Sequence, residues 1–317
     1  MKVTEILQSS KKPFPSLEFV PPLKGSDINV LYQSLEPLME FKPPFVNLTS
    51  HREEVIFTEL KDGSMAKKVI SKRPGTLAVA AAVMNRFHIE VVPHIICAGL
   101  TKYQIENQLV DLNFLGIQNV MALRGDGQGT NREFIPEVGG YSHRDSLVGR
   151  IRRLNGGKYL DEELEHPIPT DFCIGVAGYP EKHFEAGTLQ EDILNLKRKV
   201  DAGADYIITQ MFFDNRHFYH FVDECRKAGI TVPVIPGLKP LSTLSHLEKL
   251  PHSFSLQIPE ELRKEVLKCR DNSAIFQLGI EWCVAQSKDL LANGAPAVHY
   301  YTMGRGKNIK EILERVF

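Results

Sequence analysis

The 317-residue sequence lacks several signatures that would have decided its class at once. It has no surplus of either charge: 38 Lys and Arg face 39 Asp and Glu, a formal net charge of −1. That balance argues against nucleic acid or an anionic membrane surface as a partner. The five cysteines (97, 173, 225, 269 and 283) show no CxxC pair and no metal-ligand spacing. No metal site is therefore expected, and scattered thiols in apolar segments suggest a reducing cytoplasmic setting. No apolar run reaches the roughly 18 residues of a membrane span. Residues 1–12 show neither the apolar core nor the small-residue cleavage pattern of a signal peptide. No strand leads directly into GxGxxG, because the glycines at 125, 127 and 129 have the wrong spacing.

What is present is an ordered alternation. Hydrophobic residues make up 43% of the chain, enough for a large core. Short apolar strands are expected at 16–20, 45–49, 90–96, 119–123, 172–177, 205–210, 232–235 and 297–301. Helical patterns fall at about 2–10, 27–40, 75–86, 144–154, 215–228, 243–250, 259–269, 273–292 and 309–317; another follows Thr101 with Ile105, Leu109 and Leu112 on one face, and another follows Thr188 with Leu189, Ile193, Leu196 and Val200 on one face. Thr101 is an expected N-cap, and Thr188-Leu189-Gln190-Glu191 an expected capping box. Residues 50–64 read as a polar loop. Residues 127–170 read as a long irregular segment, with little regular structure beyond the helix at 144–154. Eight strands alternating with helices point to one α/β domain, a (β/α)8 TIM barrel with additional helices. A doubly wound open sheet is the alternative.

The strand ends are where the chemistry gathers. Asn119-Val120-Met121-Ala122-Leu123 stops at Arg124-Gly125-Asp126, which is either a site or a surface salt bridge in a turn. Glu18, Thr49, His94, Gln210, Tyr179 and Arg305 stand at or just beyond the ends of other strands. A barrel interior is normally filled by branched apolar side chains, so polar groups repeated at one end suggest a site there. Taken singly, Glu18 reads as a structural ion pair and His94 as a satisfied core histidine. Glu18 lies between apolar neighbours and prolines, so burial is expected to raise its pKa, as a general acid requires. On the helix after strand five, Asp192, Asn195 and Lys199 form a stripe beside Arg198. It is either a solvated face or a docking strip for a phosphate-linked cofactor.

Several motifs carry a resemblance: Ser16-Leu17-Glu18-Phe19 with Pro21-Pro22; Pro93-His94; Ala122-Leu123-Arg124-Gly125-Asp126; Val176 to Glu181; Asn195 to Asp205; Ile208-Thr209-Gln210; Ile235-Pro236-Gly237; and His299-Tyr300-Tyr301-Thr302. In this order, over about 16–305, the chain resembles the 5,10-methylenetetrahydrofolate reductase family, in its short form without the regulatory domain of the animal enzymes. The resemblance implies a cytoplasmic oxidoreductase with bound FAD, reduced by NADH or NADPH. The flavin then passes hydride to 5,10-methylenetetrahydrofolate in a ping-pong cycle that supplies methyl groups for methionine synthesis. It implies Glu18 as the general acid that opens the folate's five-membered ring, and Asp126 as a carboxylate between flavin and pterin. Thr49, His94, Arg124, Gly125, Asp126, Ala177, Tyr179, His183, Ala186, Asp192, Asn195, Arg198 and Lys199 match cofactor-binding positions. Gln210, Tyr301 and Arg305 match substrate positions, and a homo-oligomer is implied.

The chain departs from the family pattern in places. His143-Arg144 replaces a Tyr-Ala pair, and His183-Phe184-Glu185-Ala186 replaces His-Pro-Glu-Ala. Gly304 stands where Asn is usual. Leu250 and His246 stand where some members place Phe and Gln, and 156–170 resembles an insertion. Two other readings are a different flavin barrel, such as a proline dehydrogenase-like oxidoreductase, and a non-catalytic flavin- or folate-binding barrel.

Overall fold

The computed structural model describes residues 1–125, 134–142, 146–304 and 306–317. Eleven strands occur among them: β1 (Phe14–Phe19), β2 (Phe45–Leu48), β3 (Glu54–Glu59), β4 (Met65–Ile70), β5 (Glu90–Ile96), β6 (Asn119–Leu123), β7 (Cys173–Gly178), β8 (Tyr206–Thr209), β9 (Val234–Ile235), β10 (Gly237–Leu238) and β11 (Ala297–Tyr301). Nine of them form one sheet in the order β10-β11-β1-β2-β5-β6-β7-β8-β9, and the pairs within it are parallel. β9 and β10 flank Pro236 in one extended segment. Its first half pairs with β8 and its second half with β11, which closes the ring. Counted as one strand, this segment makes eight, and the architecture is the expected (β/α)8 barrel.

The closing segment works because Gly237 has no side chain. A Cβ there would lie 2.2 Å from the Thr209 carbonyl oxygen and 2.7 Å from the Tyr301 ring. The close approach lets Gly237 N–H donate to Thr209 Oγ1 at 2.9 Å, while the Tyr301 hydroxyl donates to Thr209 O at 2.6 Å.

Strand periodicity sorts side chains into two cores. Leu17, Phe19, Val46, Val91 and Ile95 point outward and pack under the helices. Phe14, Phe45, Val92, Met121, Cys173, Tyr206, Ile208, Ile235 and Ala297 fill the barrel together with Val3 and Ile6. Those last two belong to helix Val3–Ser9, which plugs the N-terminal end of the barrel. Val3 N–H donates to Asn119 Oδ1 at 2.8 Å at the first residue of β6. A third cluster, containing Met211, Phe213, Leu247, Leu250, Leu256 and Leu262, makes a side lobe around helices His246–Phe254 and Glu260–Lys268.

Three expectations need correction. The polar stretch 50–64 is not simply a loop: β3 and β4 form an antiparallel hairpin through it, apart from the barrel sheet. Asp62 Oδ1 accepts from both Ser64 N–H and Ser64 Oγ in its turn, at 3.0 and 2.6 Å. The box at Thr188 is displaced. Thr188 Oγ1 accepts from Glu191 N–H at 3.1 Å, but the Glu191 carboxylate accepts from Gly187 N–H at 2.9 Å, one residue upstream of the cap. The helix expected at 243–250 runs instead over His246–Phe254.

The segment 156–170 is docked. Leu160 N–H donates to the Glu106 carboxylate at 2.9 Å, and that carboxylate also holds the buried Arg150 guanidinium. Among the described residues, no helix is long and apolar enough to cross a membrane. No group of three or more His, Cys, Asp or Glu side chains among them could hold a metal ion.

Candidate functional site

A cavity of about 740 Å³ opens at the C-terminal ends of the barrel strands. Glu18, Thr49, His94, Arg124, Gly125, Ala177, Tyr179, His183, Gln210 and Tyr301 line it. These side chains meet because the parallel sheet turns the C-terminal ends of its strands toward one opening. A second cavity of about 450 Å³ is lined by Ala186, Asp192, Asn195, Arg198 and Lys199. Leu123, Arg124, Ala177, Tyr179 and His183 line both, so the two form one cleft that runs from the barrel mouth along helix Leu189–Asp201.

Glu18 is the penultimate residue of β1, and its side chain is only 14% exposed. Its Oε2 lies 3.6 Å from His94 Nε2 and 3.9 Å from His299 Nε2. The other nitrogen of His299 shares a 2.8 Å hydrogen bond with Ser16 Oγ. The expected direction of the Glu18 pKa is reversed in this structure. Burial pushes the carboxyl upward, but the imidazoles of His299, His94 and His51 that face it outweigh that push. The carboxyl is held below its ordinary range. His94 is lowered, first by its own burial, with the Glu18 charge acting against that and His299 and His51 adding to it. The apolar residues beside Glu18 in sequence, Leu17 and Phe19, point away from it into the outer core.

At the end of β6, Gly125 adopts φ +87°, and a Cβ there would lie 2.8 Å from the Ala98 Cβ. Both the conformation and the space call for glycine. Arg124 pairs with Glu185 and stacks its guanidinium 5.2 Å from the Phe134 ring centroid. Thr49 Oγ1 is 3.0 Å from His51 Nε2. His183 N–H donates to Asp192 Oδ2 at 2.9 Å, and the His183 ring meets Tyr179 edge-on at 4.8 Å. Asn195 Oδ1 accepts from Arg198 at 2.7 Å.

Burial raises the Asp192 carboxyl, against the His183 hydrogen bond and the charges of Lys199 and Lys182, with Glu191 adding to the rise. Burial lowers Lys199, with Asp192 opposing and the Arg124 charge adding to the effect. Two cations converging on a partly dry cleft are relieved by an anion between them, so this strip suits a phosphate group.

The family model for methylenetetrahydrofolate reductase matches residues 2–316. The chain belongs to the methylenetetrahydrofolate reductase family. It is 32% identical over 322 residues to methylenetetrahydrofolate reductase (NADH) 1 of Arabidopsis thaliana, covering 98% of this chain and 49% of that protein. It is 31% identical to the 5,10-methylenetetrahydrofolate reductase of Salmonella typhimurium, covering 92% of this chain and 86% of the other. The Escherichia coli enzyme of the same name is 30% identical over 92% of this chain and 86% of its own length. The chain thus spans about half the length of the plant relative and most of the bacterial ones. A solved structure from Clostridium thermocellum, described as binding two copies of 5-methyl-5,6,7,8-tetrahydrofolic acid, shares the fold. Its TM-score is 0.57 at 13% identity, over 99% of this chain and 97% of that one.

In this methylenetetrahydrofolate reductase family member, most residues singled out from sequence meet in the cleft. Asp126, His143, Arg144 and Arg305 lie outside the described residues. Leu250 is buried in the side lobe, and the aromatic from its helix that lines the cavity is Phe254. Ser16 and His299, which pack beside Glu18, were not singled out as site residues. Strand alternation is the signal that finds them: His299 is two residues from Tyr301, Ser16 is two from Glu18, and the register pairs Ser16 with His299.

Proposed function

We propose that the chain reduces 5,10-methylenetetrahydrofolate to 5-methyltetrahydrofolate, using NADH or NADPH as donor and FAD as resident cofactor. The observation that carries this reading is the half-buried Glu18 carboxylate, set between His94 and His299 in the mouth cavity, which runs on into the cationic strip. The residues present fit FAD. The cleft is elongated, Arg198 and Lys199 suit the pyrophosphate by charge, and Asp192 and Asn195 line the same wall. Thr49, His94, Arg124, Gly125, Ala177, Tyr179, His183 and Ala186 line the rest of its path. When bound, FAD supplies the hydride chemistry.

The chain supplies the proton and the positioning. In the open cavity Glu18 is ionised and flanked by imidazoles. A pterin closing over it excludes water, which strengthens the burial effect and favours uptake of a proton by the carboxyl. Neutral Glu18 then donates to N10 of the folate, which favours opening of the five-membered ring and readies the one-carbon bridge for hydride. Gln210 and Tyr301 line the wall beside it and orient the pterin. The turn at Gly125 leads into Asp126, the proposed carboxylate between pterin and flavin.

The test is a pair of anaerobic half-reactions on FAD-loaded protein. Glu18→Gln should still be reduced by the nicotinamide, yet lose about 10²–10⁴-fold in reoxidation by methylenetetrahydrofolate. Equal loss of both half-reactions would make Glu18 structural. A protein that takes up no FAD, or a wild type whose reduced flavin ignores the folate, would overturn the function itself.

A further inference from the structure

The β3–β4 hairpin is a two-stranded sheet that pairs with no other strand among the described residues. Such hairpins are marginal in water unless one face is covered. Residues opposite one another share a face, and the register sets Val55 against Val69, Phe57 against Lys67 and Glu59 against Met65. On that face Phe57 is 63% exposed, Met65 59% and Val69 53%. The row does not begin in solvent, because Val55 lines the mouth cavity that also holds Glu18. An apolar strip therefore leaves the cavity at Val55 and continues outward over Val69 and Phe57.

Its charges are graded along the same path. Arg52 and Lys72 line the cavity at the root of the hairpin, each already near an acid: Glu137 at 4.0 Å and Glu54 at 2.6 Å. Further out, Lys67 stands level with Phe57 and makes no ion pair with any described residue; Glu59, one pair beyond on the same face, bounds the basic position on its outer side. A ligand matching this order would leave the cavity as an aryl group and end in carboxylates.

We propose that this face of the hairpin receives the tail of the folate substrate, the para-aminobenzoyl ring with its glutamyl carboxylates. The ring lies on Val69 and Phe57, and Lys67 meets the carboxylates. The inference rests on the folate-reducing function proposed above. A pterin seated beside Glu18 must send its tail out of the same mouth, and that tail is apolar first and anionic beyond. A nicotinamide dinucleotide using the same mouth carries its anionic groups on a pyrophosphate between two ribosides, not beyond an aryl group, so the two substrates should differ in their need of the hairpin.

The experiment uses the FAD-loaded protein, with Phe57→Ser/Val69→Ser and Lys67→Glu as variants. Retained flavin and an unchanged circular dichroism spectrum verify folding, and Val69→Ser alone replaces the double variant if it does not fold. The double variant should raise KM for methylenetetrahydrofolate about tenfold. Its rate of flavin reduction by NADH or NADPH should stay within about twofold of wild type. Lys67→Glu should raise KM for the triglutamate substrate more than for the monoglutamate, and added salt should narrow the difference. An active wild type whose variants keep its folate KM overturns the hairpin's role alone, as does an equal loss in the nicotinamide half-reaction. A wild type inert toward folate overturns the proposed function, and the hairpin's role falls with it.

Discussion

Glu181 offers a stability experiment worked directly from geometry. It stands in the turn after β7, with its side chain only 7% exposed. Its Oε2 accepts from Gln257 N–H at 2.7 Å, joining that turn to the segment that follows helix His246–Phe254. His217 Nε2 is 3.9 Å away, and Oε1 has no hydrogen-bond partner among the described residues. Burial pushes the carboxyl from 4.5 up to about 7, with the Gln257 hydrogen bond opposing and the Asp214 charge adding. The folded value lies above the unfolded one. The group's contribution to stability is therefore complete below the unfolded value and is lost as pH rises through about 7.

Glu181→Gln keeps an acceptor for Gln257 and removes the charge. The full displacement corresponds to roughly 3 kcal/mol, and water at the rim of an open cleft reduces this to about 1–3 kcal/mol. The only tryptophan, Trp282, reports from the adjoining side lobe, where its indole N–H donates to Phe213 O at 3.0 Å. Urea unfolding followed by its fluorescence should give similar midpoints for variant and wild type near pH 5. Near pH 8.5 the variant should be the more stable by about 1–3 kcal/mol. A difference independent of pH, or a variant weaker at high pH, would refute the assignment of a buried proton to Glu181.

Two further substitutions probe the cleft. Gly125→Ala forces a side chain into a left-handed conformation against Ala98, and should cost about 2–4 kcal/mol in urea unfolding; a loss under about 0.5 kcal/mol would show that the turn adapts freely. Arg198→Ala and Lys199→Met should each weaken FAD binding about 10–100-fold in flavin titrations, with the far-ultraviolet spectrum unchanged. Unchanged flavin retention would remove the strip from the cofactor's path.

Legibility from sequence followed the local signals. β5 has the expected bounds, Glu90–Ile96, because an apolar run between a polar turn and a Gly-containing loop can be little else. The hairpin is not legible because both of its faces carry charge and none of its residues is fully buried, so no buried face announces it. Glu18 was placed at the rim by strand counting alone. Its electrostatics are not legible from the chain because neighbours in sequence stand on opposite faces of a strand. Leu17 and Phe19 look apolar beside Glu18 on paper but point into the outer core. The groups that govern the carboxyl, His94 and His299, come from strands far away in sequence. The box at Thr188 erred by one residue for a related reason: spacing predicts that Glu191 reaches back, but not which of two adjacent N–H groups it finds.

The pairing of β1 with β11 has a consequence for how the chain is made. Phe14 finds its partner in Ala297, and Glu18 finds its own in Tyr301. During synthesis, β1 leaves the ribosome almost three hundred residues before the strand that covers its second edge. Until then that edge is unpaired, and an uncovered parallel strand invites association with other chains. The carboxyl proposed as the acid is set among its histidines only in the same late event, because His299 arrives on the closing strand. Ring closure and assembly of the site are one step, so a nascent chain stalled before β11 would carry an exposed edge and an incomplete acid together.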